Sequence, residues 1–408
     1  MNALLALVLL LALVPDAMTV QAATRTKLAV LGDAFTCADA RFVSYRRSDA
    51  EPEIVDQWYV ASQLWADALL LETPPDGYDV QDGRCYLDKG FIFLDRLWDY
   101  TSAGYFPRSN PVGTTVENAP RYTDDNLIAG LALLETAKTT GDPQALQRYI
   151  HAAQREADFL LGSGLWDNTF GGGFWWNTGR GDTEEGKPAQ TNALAALFFG
   201  RLYDATGNGT YREWSLRSLL WLDTILWDPS RQLYRWSVAY SDLQHQTGAT
   251  VHTRYFNYDQ GIAIQAQLEA MQLDGDPNRL SRAQAIGHAV QSAFWSSALG
   301  GYNLEAGVDQ VYASYAAWTS LGHLALYAAE GDPEWLSLAT NNASALSEAL
   351  QEPDGGYAYR DYRCVDKIAK GCETGPPTIV VDHTRDTSAQ SWVQHLETAL
   401  TYASEQNQ

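Results

Sequence analysis

The sequence predicts an all-α fold, an (α/α)6 barrel of inner and outer helix pairs, from three observations. The same turn recurs four times, with a glycine that ends one helical segment and a polar residue that opens the next. The helical segments alternate between apolar on all sides and apolar along one face. The turns lie roughly sixty residues apart, which suits repeated helical hairpins. An open solenoid is the alternative, but solenoid repeats are shorter and more regular.

The four turns read TTGDPQAL around Gly141, ATGNGTYR around Gly207, LDGDPNRL around Gly275 and AEGDPEWL around Gly331. Glycine suits the left-handed position after a helix, while aspartate suits the N-cap and proline the first helical position. Each turn is therefore predicted to join two antiparallel helices.

The helices on either side of the first turn differ in kind. Residues 127–134 are small or apolar without exception, which predicts a helix buried on all sides. After the turn, the apolar residues form a single stripe: Leu146, Tyr149, Ile150, Ala153, Ala157 and Leu160. Residues 193–200 and 312–329 repeat the inner character. Further helices are predicted over 54–71, 86–100 and 388–403, and about eleven or twelve helices fit the chain.

The first 23 residues are predicted to be a signal peptide. An apolar run over 3–14 is followed by small residues at Ala22 and Ala23, and it is shorter than the roughly 18 to 20 residues needed to cross a bilayer. Residues 24–408 show no linker or low-complexity segment, so they are predicted to form a single catalytic domain. We expect a secreted monomer with no stable membrane insertion.

The cysteines and the net charge bound the environment and the partners. In an oxidising compartment, Cys364 would pair with Cys372 and Cys37 with Cys85, and free buried thiols are the alternative. The formal net charge of −22 repels nucleic acid and anionic lipid, so a neutral partner is expected. The histidines show no metal-ligand spacing, and no metal or cofactor is expected.

Polar residues mark the starts of the predicted inner helices. If the inner helices run parallel, these residues form a ring around one mouth of the barrel: Asp124, Asp125, Asn126, Gln190, Asn192, Tyr258, Asp259, Gln260, Asp309, Gln310 and Gln390. Asp and Asn also cap helices for structural reasons. A cap does not need two aspartates and an asparagine in succession, so the mouth at Asp124 is the candidate site.

The loop GLWDNTFGGGFWWNTGRGDTEEGKPAQTN, residues 164–192, adds aromatic side chains to this mouth. Its three glycines, 171–173, let the backbone bend closely beside Trp175 and Trp176, and flat aromatic faces suit sugar rings. Neighbouring side chains rarely face the same way, so one of the two tryptophans is expected in the core.

Four segments resemble glycoside hydrolase family 76, the endo-α-1,6-mannanases. They are YTDDN at 122–126, WDNTFGGGFWWN at 166–177, QTNALAALFFGRLYDATGNGTY at 190–211 and NYDQG at 257–261. The resemblance covers about residues 55 to 400 and implies an (α/α)6 barrel that hydrolyses α-1,6-mannan with retention of anomeric configuration. It also implies that Asp124 is the nucleophile and Asp125 the acid/base.

The chemistry of retention is compatible with this pair. It needs two carboxyl groups about 5 to 5.5 Å apart, and a helix start stabilises one anion while repulsion keeps the other protonated. Asp259 is the candidate for holding sugar hydroxyls at the cleavage site. The residues expected to bind α-mannan or manno-oligosaccharides are Asn126, Trp175, Trp176, Asn192, Tyr258, Asp259 and Gln260.

Three alternatives stay open. A mannan-directed transglycosidase would transfer the glycosyl group to a second glycan in place of water. Another sugar enzyme on the same barrel would need histidines at the mouth if it is an epimerase, or basic residues if it is an unsaturated uronyl hydrolase. A non-catalytic mannan-binding protein would gain nothing from the aspartate pair.

Overall fold

The computed structural model describes residues 55–75, 77–110, 113–364 and 378–405. Within these residues the chain forms eleven α-helices. They are α1 (Gln57–Glu72), α2 (Val80–Arg96), α3 (Thr123–Thr139), α4 (Pro143–Gly162), α5 (Ala189–Thr206), α6 (Gly209–Ile225), α7 (Asn257–Asp274), α8 (Asn278–Phe294), α9 (Ala313–Glu330), α10 (Pro333–Leu350) and α11 (Thr387–Glu405).

Ten short strands lie between the helices, and every pairing between them is antiparallel. They are β1 (Val55–Asp56), β2 (Arg108–Ser109), β3 (Lys187–Pro188), β4 (Trp227–Asp228), β5 (Leu233–Tyr234), β6 (Ser237–Ala239), β7 (Thr250–His252), β8 (Gln310–Tyr312), β9 (Arg360–Cys364) and β10 (Thr378–Asp382). Strands β1, β3 and β8 run directly into helices α1, α5 and α9. The small sheets therefore form a rim around the N-terminal ends of those helices.

Six helices form a closed inner ring. Helices α1, α3, α5, α7, α9 and α11 each pack against the next, and α11 packs against α1. Helices α2, α4, α6, α8 and α10 each pack outside the inner helix that precedes them. This arrangement confirms the predicted (α/α)6 barrel, with five outer helices in the described part of the chain.

The contact between α11 and α1 closes the ring through a buried polar network. Gln63 Nε2 donates to Gln394 Oε1 at 3.0 Å, and Gln394 Nε2 donates to Asp67 Oδ1 at 3.0 Å. On the same helix Trp392 stacks on Trp318 of α9, with ring centroids 4.3 Å apart. Residues distant in the sequence therefore hold the first and last inner helices together.

The burial of the helices follows the predicted inner and outer types. Residues 127–134 of α3 are buried on all sides, whereas α4 buries one face that includes Tyr149, Ala153 and Leu160. Inner helices α7 and α9 approach closely at two glycines. A Cβ added to Gly322 would lie 2.8 Å from the carbonyl oxygen of Gly261, so a larger residue there would force the helices apart.

The predicted glycine turns are confirmed. Gly207, Gly275 and Gly331 follow α5, α7 and α9 with φ of 68°, 74° and 73°. Gly141, which follows the C-cap residue Thr140 of α3, also has a positive φ, of 63°. The left-handed conformation ends each helix and turns the chain back toward its outer partner.

Some boundaries differ from the sequence prediction. Helix α2 begins at Val80, where Asp79 caps it through the backbone amides of Gln81 and Asp82, and not at residue 86. Helix α9 begins at Ala313, so Gln310 lies on β8 and Asp309 just before that strand. The aspartate accepts hydrogen bonds from Ser296 and Arg363, which makes it part of the rim sheet.

Several sequence predictions fall outside the described residues. The predicted signal peptide, 1–23, is one of them. Cys85 and Cys364 are not free thiols, but the cysteines predicted to pair with them, Cys37 and Cys372, lie outside the described part, so the pairing stays a prediction. Among the described residues, every helix is too short or too polar to span a bilayer.

Candidate active site

The aspartate pair lies in the first turn of inner helix α3, as its second and third residues. Thr123, the first residue, fixes this turn on the neighbouring loop. Its backbone N–H donates to the carbonyl of Trp176 at 2.7 Å, and its hydroxyl donates to the carbonyl of Trp175 at 2.6 Å. The loop of the tryptophans and the start of the helix are thus one unit.

Asp124 is surrounded by donors. Its carboxylate accepts the indole N–H of Trp176 at 3.0 Å, the side-chain amide of Gln190, and the backbone N–H of Asp125 at 3.1 Å. Burial raises the pKa of Asp124 to about 6, and these donors oppose the rise by stabilising the anion. Near neutral pH Asp124 is therefore ionised and positioned by three hydrogen bonds.

Asp125 has a different environment. Burial raises its pKa well above the usual range, and the negative charges of Asp124 and Asp56 raise it further, while Arg108 opposes them. Among the described residues, no side chain donates a hydrogen bond to its carboxyl group. Asp125 therefore keeps its proton at a pH where Asp124 has lost it.

Two cavities meet at the pair. One has a volume of about 310 Å³ and the other of about 240 Å³, and both are lined by Trp58, Asp124, Asp125 and Trp176. The larger is mainly aromatic; its other lining residues include Trp236, Phe256, Tyr258, Tyr315 and Trp318. The smaller is charged; its other lining residues include Asp56, Arg108, Glu117 and Tyr122. The carboxyl groups thus lie between two compartments of one cleft.

The glycine-rich loop places the two tryptophans on opposite sides of the backbone. Gly171, Gly172 and Gly173 all have positive φ, at 78°, 124° and 85°, which confirms why the sequence needs glycine there. Trp175 is buried, with 1% of its surface exposed, whereas Trp176 lines both cavities. The expectation that one of the pair belongs to the core is confirmed.

The residues predicted to bind substrate divide into two groups. Trp176 and Tyr258 line the larger cavity. The other five side chains are buried and do not line either cavity: Asn126, Trp175, Asn192, Asp259 and Gln260. Their expected contact with sugar stays a prediction that this placement does not support.

Asn126, Asn192 and Gln260 share a structural role. Each is the fourth residue of its inner helix, and each accepts a backbone N–H from an aromatic residue that follows the preceding outer helix: Tyr105, Phe174 and Tyr234 respectively. The distances are 2.8, 2.7 and 2.8 Å. Gln390 of α11 does the same for Tyr357, at 2.8 Å. These amides clamp the hairpins that support the mouth.

Asp259 is fully buried beside the site. Burial raises its pKa well above the usual range, and the backbone amide of Gln190 opposes this rise. Among the described residues, no donor lies in hydrogen-bond geometry with either carboxyl oxygen. This environment favours the neutral acid form of the side chain, which lies near Tyr258. Asp259 is not among the residues that line the two cavities, so its expected contact with sugar hydroxyls stays a prediction.

Most of the aromatic residues that line the larger cavity were not predicted from the sequence. Trp58 is the second residue of α1, and Tyr315 and Trp318 lie in the first two turns of α9. Their positions carry the signal that selected the polar ring, namely the start of an inner helix. Including aromatic as well as polar side chains at those starts would have found them.

An (α/α)6 barrel with two carboxyl groups of different proton affinity, in an aromatic cleft at one mouth, has the features of a carbohydrate-processing enzyme. The family model for glycosyl hydrolase family 76 matches residues 108–320, more than half of the chain, and the chain belongs to that family. No curated protein matches the chain.

Solved structures show the same fold. A family 76 α-1,6-mannanase from Salegentibacter sp. HEL1_6 is 20% identical, with a TM-score of 0.67 over 95% of this chain and 98% of that one. A family 76 mannosidase from Bacteroides thetaiotaomicron VPI-5482 is 17% identical, with a TM-score of 0.70 over 96% and 100%. The cellobiose 2-epimerase of Spirochaeta thermophila DSM 6192 is 17% identical, with a TM-score of 0.66 over 90% of each chain. At these identities the likeness concerns the fold.

Proposed function

We propose that this glycoside hydrolase is an endo-acting α-1,6-mannanase that works with retention, with Asp124 as nucleophile and Asp125 as acid/base. The observation that carries the proposal is the position of the pair between two compartments of one cleft. An enzyme that cuts within a chain needs room for sugars on both sides of the bond. A site at the end of a closed pocket would instead release terminal units.

The electrostatics support these roles. Asp124 is the better anion because Trp176 and Gln190 donate hydrogen bonds to it, so it can attack the anomeric carbon. Asp125 holds a proton that it can give to the departing glycosidic oxygen. After the glycosyl-enzyme forms, Asp125 is an anion and accepts a proton from the incoming water.

The direction of the cleft follows from the surroundings of the two groups. Asp125 is influenced by Asp56 and Arg108, which line the charged compartment, so the leaving sugar would lie there. The sugar that becomes attached to Asp124 would lie in the aromatic compartment, where ring faces can stack on its apolar C–H surfaces. The mannan backbone as substrate rests on the family and on the resemblance of the site motifs.

The alternative enzymes of this barrel fit the site less well. Of the described residues that line the two cavities, none is a histidine, whereas an epimerase would use histidines as proton shuttles. His323 and His395 are buried in the barrel, and burial lowers the pKa of each to about 4. The lining carries more carboxylates than cations, which disfavours an acidic uronyl substrate.

The fold does not bear on two parts of the proposal. One is secretion, and the other is whether water or a second glycan is the acceptor. The predicted signal peptide supports secretion. Analysis of the products formed in the presence of excess manno-oligosaccharide acceptor distinguishes hydrolysis from transglycosylation, because transfer gives products longer than the starting substrate.

Azide rescue of the two alanine variants tests the roles. With a dinitrophenyl α-1,6-manno-oligosaccharide, whose leaving group needs no proton, Asp125→Ala still forms the glycosyl-enzyme, and azide should then yield the α-mannosyl azide. Asp124→Ala cannot form that intermediate, so azide attacking directly should yield the β-mannosyl azide. The reverse pattern would exchange the two roles, and full activity of either variant on mannan would refute the mechanism.

A further inference from the structure

Lys187, on β3 just before inner helix α5, is a charged side chain with no exposed surface. Its ammonium group lies within hydrogen-bond distance of four oxygens: Asp167 Oδ1 at 2.7 Å, the Asp167 carbonyl at 3.3 Å, the Thr169 carbonyl at 2.9 Å and the Gly172 carbonyl at 2.7 Å. Burying a cation is unfavourable unless its protons are satisfied. Here they are, and the acceptors all belong to one loop.

Backbone hydrogen bonds hold only part of this loop: Gly171 donates to Asn168, Gly172 to Thr169, and Trp175 to Leu165. Its glycines, 171–173, adopt conformations with positive φ, and three of its carbonyl groups point toward one spot. Convergent carbonyl dipoles repel one another unless a cation lies between them. Lys187 supplies that charge, and its ammonium also lies 4.7 Å from the ring centroid of Trp175.

A continuous chain of contacts joins this cation to the nucleophile. Asp167, which pairs with Lys187, accepts the indole N–H of Trp175 at 2.8 Å. The carbonyls of Trp175 and Trp176 accept hydrogen bonds from Thr123, and the indole N–H of Trp176 donates to Asp124. The loop that Lys187 organises is therefore the loop that aims a donor at Asp124.

We propose that Lys187 is a positioning residue of the reaction: with Asp167 it fixes the loop 166–177 so that Trp176 donates its N–H to the catalytic Asp124. The inference rests on the proposed role of Asp124 as nucleophile. Loss of the lysine frees the loop, the indole N–H leaves the carboxylate, and the anion loses one of its three donors. The nucleophile is then protonated over a wider range of pH.

Two substitutions separate positioning from simple charge. Lys187→Met removes a positive charge, which by Coulomb's law alone would raise the pKa of Asp124; Asp167→Asn removes a negative charge, which alone would lower it. Under the proposal both variants loosen the loop, so both raise the pKa of Asp124. The titratable groups that face Asp124, namely Asp125, Tyr122 and Tyr258, are unchanged in both variants.

The test is the pH dependence of kcat/KM on α-1,6-manno-oligosaccharides between about pH 4 and pH 7. Lys187 is protonated in this range, because burial lowers its pKa only to about 8. We expect the acid limb to move up by about half a unit to one unit in Trp176→Phe, Lys187→Met and Asp167→Asn, with kcat lowered roughly tenfold and KM changed less. The double variant Lys187→Met/Trp176→Phe should match Trp176→Phe alone, because both changes remove the same hydrogen bond.

A matched control and a spectroscopic readout complete the test. Lys138→Met, in which the exposed partner of Glu135 at the other end of α3 is lost, should leave the acid limb in place. In spectra of protein labelled with ¹⁵N-tryptophan, the Trp176 indole signal should titrate with Asp124 near pH 6 and should lose that titration in Asp167→Asn. The Asp167 side chain is 35% exposed, so we expect the Asp167→Asn variant to fold.

The inference is overturned if Lys187→Met or Asp167→Asn keeps the acid limb of the unmodified protein, if Asp167→Asn moves it down, or if the effects of Lys187→Met and Trp176→Phe add. Asp124→Asn in the same assay distinguishes this failure from that of the proposed function. If Asp124→Asn is inactive while Lys187→Met behaves as the unmodified protein, only the positioning role falls. If Asp124→Asn stays active, the proposed function falls with it.

Discussion

Asp124 and Asp125 are neighbours in the chain, but their carboxyl groups have different surroundings. Asp124 receives two side-chain donors and a backbone amide, whereas Asp125 is near Asp56 and Asp124 itself. Each environment acts on one protonation state: donors favour the anion and nearby anions favour the acid. Adjacent residues of one type therefore differ in proton affinity, which is what the proposed roles require.

The raised pKa of Asp124 implies a cost to stability. Its folded-state pKa of about 6 exceeds the reference value of 3.8, so above pH 6 the folded protein holds an anion that the unfolded chain holds more easily. The cost is at most about 3 kcal/mol, since one pKa unit corresponds to about 1.4 kcal/mol. It disappears as the pH falls from about 6 to about 4, because both states then bind the proton.

Asp124→Asn should therefore be more stable than the unmodified protein at pH 7.5, by about 1 to 3 kcal/mol, because it removes the buried charge and keeps a side chain of the same size. Urea unfolding at pH 7.5 and at pH 4 measures the difference. The gain should shrink toward zero at pH 4. A variant less stable than the parent at pH 7.5, or a gain independent of pH, would contradict the electrostatic account.

Much of the site at the residue scale could be predicted from the sequence. The pair Asp124 and Asp125, with Trp176, comes from the order of polar, glycine and aromatic residues along the chain. The role of Lys187 could not, because a lysine in a polar loop reads as a surface residue until the converging carbonyl groups are seen. The burial of Asp259 could not be predicted either, because it depends on the inner helices α5 and α9 that pack against α7.

At the scale of the elements, the barrel repeats a hairpin at each end. The glycine turns end the inner helices, and at the opposite end the outer helices run into short hairpins whose sequences are LWDYTSAGY, LWDNTFGGGF, LWDPSRQLY, FWSSALGGY and LQEPDGGY. In four of them the backbone N–H of the last residue donates to a side-chain amide oxygen in the first turn of the next inner helix. These last residues are Tyr105, Phe174, Tyr234 and Tyr357. In the FWSSALGGY hairpin, Asn342 of the outer helix α10 accepts the N–H of Tyr302 instead.

These clamps explain why the fourth residue of α3, α5, α7 and α11 is asparagine or glutamine. Asn192 accepts the N–H of Phe174 at 2.7 Å and donates to the carbonyls of Phe174 and Pro188 at 3.2 and 2.9 Å. All three bonds are buried, so water cannot replace them. The clamp also holds the hairpin that leads into Trp175 and Trp176, which links the stability of the element to the site.

Asn192→Leu should destabilise the protein by about 2 to 4 kcal/mol, because it leaves a buried backbone N–H without its partner. The same substitution at the exposed Asn278, the first residue of α8, should cost less than about 0.5 kcal/mol. Urea unfolding of the two variants compares a buried and an exposed amide directly. Equal effects would mean that the clamp contributes nothing.

The element prediction from sequence succeeded where the pattern is periodic and failed where it is not. Apolar runs and glycine turns predicted the inner and outer helices and their links. The hairpins after the outer helices have no helical or strand period, so their repetition was not predicted. The start of α2 was predicted six residues late, at residue 86 instead of Val80. Comparing the ends of the outer helices with one another would have revealed them.

At the scale of the whole molecule, closure of the inner ring brings the starts of the inner helices to one mouth. Side chains of α1, α3, α5, α7 and α9 line the larger cavity: Trp58, Asp124, Gln190, Tyr258 and Tyr315. A residue from each of five helices is needed to make one cleft, so the site forms only when the barrel is closed. The fold class could be predicted from the turns, but the shape of the cleft could not, since it depends on how the hairpins pack.

The anomeric outcome on linear α-1,6-mannan tests the central claim most directly. Proton NMR during hydrolysis should show the α-anomer of new reducing ends appearing first, with the β-anomer growing only as mutarotation proceeds, and the early products should be oligosaccharides of mixed length. A β-anomer that appears first, or release of single mannose units from the start, would contradict a retaining enzyme that cuts within the chain.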